Sequence, residues 1–133
     1  MTITYKDAVA KISLDLGIPG LSTYTQDWAS ELPEEYRTPA WIERYLATCA
    51  RSDYGVQEKQ ALMDLVLNCI NDMVEVGDEA VDRLWAETEG ALRDAAAIYR
   101  DVVEDWAEEE DGLDGEQPIA SRLRRLRAPR PKR

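Results

Sequence analysis

The chain has no histidine, no phenylalanine, only two cysteines and no acidic residue beyond Glu116. Most of these gaps remove a class of chemistry. Without histidine there is no imidazole general base, no Ser-His or Cys-His nucleophile pair and no histidine-ligated metal site, the Glu-x-x-His di-iron bundle included. Two thiols, Cys49 and Cys69, cannot build a tetrathiolate zinc centre. Both fall on apolar faces of predicted helices. Buried free thiols are therefore expected, with a disulfide as the alternative if the geometry suits it.

The glycines form no phosphate loop. Gly17-Ile18-Pro19-Gly20 and Gly112-Leu113-Asp114-Gly115 lack the spacing and the lysine that a P-loop needs. The acidic segment near Asp111 puts Leu113 where a calcium loop requires an oxygen ligand. No stretch approaches the roughly 20 apolar residues that span a bilayer. The first residues, Met1 to Asp7, lack the charged-then-apolar layout of a secretory signal. These absences predict a cytoplasmic protein with no metal, no cofactor and no membrane association.

What the chain has in excess is acid. Against 16 Lys and Arg there are 27 Asp and Glu, a formal charge of −11. The distribution is sharper than the total. Seven basic residues and no acid lie between Arg122 and Arg133, so residues 1–121 hold nine bases against all 27 acids, a formal −18. Residues 1–117 read as an acidic helical bundle, and 118–133 as a short basic helix followed by a disordered Arg/Pro tail.

Apolar residues recur at three- and four-residue spacing almost throughout, and no strand-like alternation competes. Thr4 can cap a helix from about Tyr5 to Leu16, with Ala8, Val9, Ile12 and Leu16 on one face, and Gly17 and Pro19 stop it. Tyr24, Trp28 and Leu32 suggest a short second helix ended by Pro33. Thr38-Pro39 is a start signal for a helix to about Arg51, because the hydroxyl caps and proline suits the first turn. The segment from Val56 to Val76 is so apolar that other helices must surround it. Its face of Leu62, Leu65, Val66, Cys69, Ile70 and Met73 is widened by Met63, Leu67 and Val74. Only Asp64, Asn68, Asn71 and Glu75 form a polar strip.

Gly77 ends that central helix, and Asp78-Glu79 opens the next, where Val81, Leu84 and Trp85 give a face. Gly90 is expected to bend or break it, leaving a last long helix from about Ala91 to Glu109. Pro118 can start a short terminal helix with Ile119, Leu123 and Leu126 on one side. The predicted fold is all-α: a single-domain bundle of five or six helices around a central apolar helix at about 56–76.

On the last long helix, turning about 100° per residue, Asp94, Asp101, Glu104, Asp105 and Glu108 line the side opposite the core. Such a stripe either receives a basic partner, since a focused field accelerates encounter and rejects nucleic acid, or is a solubilising face. The arginine-rich end offers three readings: Ile119, Leu123 and Leu126 dock on the bundle while the arginines neutralise the acidic stripe, or the end is simply solvated; it contacts a partner protein; or it binds phosphates. The acidic body and the lack of interleaved aromatics weigh against nucleic acid. Trp28, Tyr36 and Tyr54 sit in or beside loops, where aromatics with a polar handle can anchor an interface. Otherwise they are core.

The leading expectation is a non-enzymatic acidic protein that binds a basic macromolecule, such as an immunity or antitoxin-type inhibitor of a toxic nuclease. One alternative is a scaffolding bundle that self-associates into a homo-oligomer. Another is a carboxylate-dependent hydrolase using Asp64 and Glu75, the acids on the mostly buried helix.

Overall fold

The threonine start signals at Thr4 and Thr38 are met by side-chain caps in the structure. The computed structural model describes residues 4–21, 27–108, 119 and 122–123. Among them are six α-helices and no strand: α1 (Tyr5–Leu16), α2 (Trp28–Glu31), α3 (Pro39–Cys49), α4 (Val56–Val76), α5 (Val81–Asp94) and α6 (Ala96–Glu108). A 3-10 turn, Glu34–Tyr36, precedes α3. The all-helical bundle read from the periodicity is what forms. The chain divides into two compact units, residues 1–69 and 70–133, and α4 supplies helix to both. The basic tail beyond Leu123 and the acidic segment 109–118 lie outside the described residues, as do Tyr24, Pro118 and Leu126.

In the first unit, Thr4 and Asp7 exchange side-chain and backbone hydrogen bonds in a capping box at the start of α1. This satisfies two donors that the first turn would otherwise leave open. Gly17 ends the helix at φ 71°, ψ 35°, a left-handed conformation that a Cβ would disfavour, and donates to the Ser13 carbonyl. Thr38 caps α3 by accepting from the Trp41 N–H at 3.3 Å, with Pro39 in the first turn.

The core of this unit is built from Ala8, Val9 and Ile12 of α1, Trp28 and Ala29 of α2, Ile42 and Tyr45 of α3, and Leu62 to Cys69 of α4, all nearly inaccessible apart from Asp64 and Asn68. Fully burying each of the valine, isoleucine, leucine and methionine side chains among them contributes about 1.5–3 kcal/mol. Cys49 and Cys69 are both buried, and neither is in a disulfide.

Polar groups inside this unit are matched over long sequence distances. The Arg37 guanidinium donates to the Ala29 carbonyl and to Oδ1 of Asn68. Tyr45 donates its hydroxyl to the Tyr36 carbonyl, and burial holds that phenol well above its ordinary pKa. Tyr54 donates to Asp15 at 2.9 Å, with Lys11 and Arg51 each 5.1 Å from its ring centre. Lys59 donates to the Cys49 carbonyl, joining the end of α3 to the start of α4.

In the second unit the structure departs from the sequence reading. Gly90 does not break a helix; it lies inside α5. The break falls at Ala95, with φ −131° and ψ 50°, so the expected helix 91–109 is divided between the end of α5 and all of α6. Propensity does not explain this, because alanine is the best helix former. Packing does. Unbroken, residues 81–108 would run straight for about 40 Å. Breaking at a residue with no large side chain lets Tyr99, Val103, Trp106 and Ala107 of α6 be buried in the same unit as Val81, Leu84, Trp85, Thr88 and Leu92 of α5. Gly77, at φ 71°, makes the turn out of α4.

Candidate functional site

The acids assigned to one stripe do not share one helix. Asp94 is the last residue of α5, while Asp101, Glu104, Asp105 and Glu108 belong to α6. The phase relation of about 100° per residue is lost at Ala95, so the place given to Asp94 on the stripe no longer follows from helical spacing. Within α6 the argument holds by itself. With Tyr99, Val103, Trp106 and Ala107 turned inward, Asp101 and Asp105 are exposed and Glu104 is half-exposed. These three lie about 100–200° round the helix from Val103. The Glu108 side chain lies outside the described groups.

Among the described residues no cation pairs with Asp101, Glu104 or Asp105, whereas α5 carries Arg83–Glu87 at 3.6 Å, Arg93–Glu89 at 2.7 Å and the Asp82–Arg122 pair at 3.5 Å. Among the described residues the face of α6 therefore carries acids with no pairing cation. Such a face can attract and orient a cationic surface, which requires no catalytic group.

Asp64 and Glu75 do not come together. Eleven residues apart on α4, they are separated by about 16 Å of helix rise, against the roughly 5–10 Å of a glycosidase carboxylate pair. Asp64 is half-buried and, with Asp27, faces Tyr5, whose phenol is raised to about 12, first by burial and then by those two charges. Glu75 is exposed. Among the described residues no three Cys, Asp or Glu side chains converge as a metal site needs.

Of the three loop aromatics that either anchor an interface or belong to the core, two are core. Trp28 is 2% exposed, with its indole N–H on the Pro19 carbonyl at 2.8 Å, and Tyr54 is 3% exposed. Their polar handles are satisfied within the unit, so they need no partner. Tyr36 remains half-exposed, edge-on to Trp41 with ring centres 5.4 Å apart, and Arg44 covers the Trp41 ring at 4.2 Å.

Part of the arginine-rich end docks, as one of its three readings required. Ile119 and Leu123 are fully buried, one helical hydrogen bond apart, with the Leu123 N–H 3.1 Å from the Ile119 carbonyl. The Ile119 N–H reaches Oδ1 of Asn71 on α4 at 3.2 Å. Arg122 lies 3.5 Å from Asp82 and 5.8 Å from the Trp85 ring centre, both on α5. Asn71, Asp82 and Trp85 were not singled out as site residues in the sequence. The available signal was Asn71 itself, an amide on an otherwise apolar helix. It is 7% exposed, so the polar strip of α4 is not a solvated one at that point.

No protein-family model, no curated protein and no solved structure matches this chain. No described helix is long and apolar enough to cross a membrane.

Proposed function

We propose that this is a non-enzymatic cytoplasmic protein that binds a basic protein partner on the acidic face of α6, in the manner of an immunity or antitoxin-type inhibitor of a toxic nuclease. The observation that carries the reading is the row Asp101, Glu104 and Asp105, set opposite the buried side of α6 with no pairing cation among the described residues. A protein needing only solubility gains little from concentrating like charge on one helix, where neighbours at four-residue spacing repel. A field of this sign also disfavours nucleic acid as the ligand.

The test uses the product of a neighbouring gene, or a protein recovered with the chain from its native host, as the candidate partner. The full chain carrying D101N, E104Q, D105N and E108Q should associate with it more slowly at low ionic strength. The difference should shrink as salt screens the field. Association at the wild-type rate in low salt would make α6 a solvated face and remove this reading. Asp94→Asn, measured separately, shows whether the acid on α5 belongs to the same surface.

A further inference from the structure

We draw no further inference here: the strongest candidate, the surface patch at the start of α3 where half-exposed Tyr36 and Trp41 pack edge-on beside Arg44, carries nothing because nothing in the structure shows what covers it.

Discussion

Asn71 and Ile119, 48 residues apart, share a hydrogen bond in the interior: the Ile119 N–H lies 3.2 Å from Oδ1 of an amide side chain that is itself 7% exposed. A buried donor stripped of its acceptor loses more than an average hydrogen bond contributes, about 1–3 kcal/mol. Asn71→Ala is therefore expected to destabilise the chain by up to that amount. The loss is smaller if Ile119 leaves the interior and finds water. Urea unfolding gives the size, and faster amide exchange at Ile119 with unchanged exchange in α1 would place the effect.

Gly90 offers the opposite experiment. It lies inside α5, exposed, and a Cβ built on it meets nothing within 4 Å. Glycine in a helix interior costs about 0.5–1 kcal/mol relative to alanine. Gly90→Ala should raise stability by that amount in thermal or urea unfolding. A loss would show that position 90 needs a conformation only glycine adopts, and that α5 does not run through it.

The phenol of Tyr5 links stability to alkaline pH. Its pKa is raised to about 12 by burial and by the nearby carboxylates of Asp64 and Asp27, while in the unfolded chain it returns to about 10. The folded state therefore favours the neutral phenol. That contribution is complete below pH 10 and is lost as pH rises through about 12. The buried Tyr45 and Tyr54, also raised, act in the same sense. Tyrosinate absorbance should thus lag behind a free-tyrosine titration, and stability should fall across this window. Asp64→Asn should move Tyr5 back toward its ordinary range, and an unmoved titration would contradict the placement of Asp64.

Neutralising α6 has a signature in the free protein as well. Asp101–Asp105 and Glu104–Glu108 are like-charged pairs at four-residue spacing. Each costs the helix about 0.2–0.5 kcal/mol. The quadruple amide variant should unfold at equal or slightly higher urea concentration than the wild type, with the gain fading in high salt. A clear loss of stability would mean that one of these acids holds a structural contact.

Signals carried by a few adjacent residues were legible in the sequence. Thr38-Pro39, Gly17 and Gly77 mark helix ends because capping and left-handed turns depend on the local backbone. The apolar run of α4 predicted its own burial because so wide a face has no solvated arrangement. Contacts made across the fold left no such trace. Nothing near Arg37 indicates that it will meet Asn68, 31 residues on, or that Tyr54 will meet Asp15, 39 residues back. The break at Ala95 was hidden for the same reason. A run of three alanines favours helix locally, and only the burial of Tyr99 and Val103 overrules it. The candidate site inherited that error: the α6 acids kept their relation because they share an unbroken helix, and Asp94 lost its place because it does not.

The burial of Cys49 and Cys69 gives the chain an internal clock. At 3% and 1% exposure the two thiols are shielded from a dissolved disulfide reagent while the native packing persists. They become nucleophiles only when that packing opens. Cys49 ends α3 and Cys69 lies within α4, so the rate at which the reagent is consumed times the opening of the packing around these two helices. No label or substitution is required, because there is no third thiol to obscure the reading.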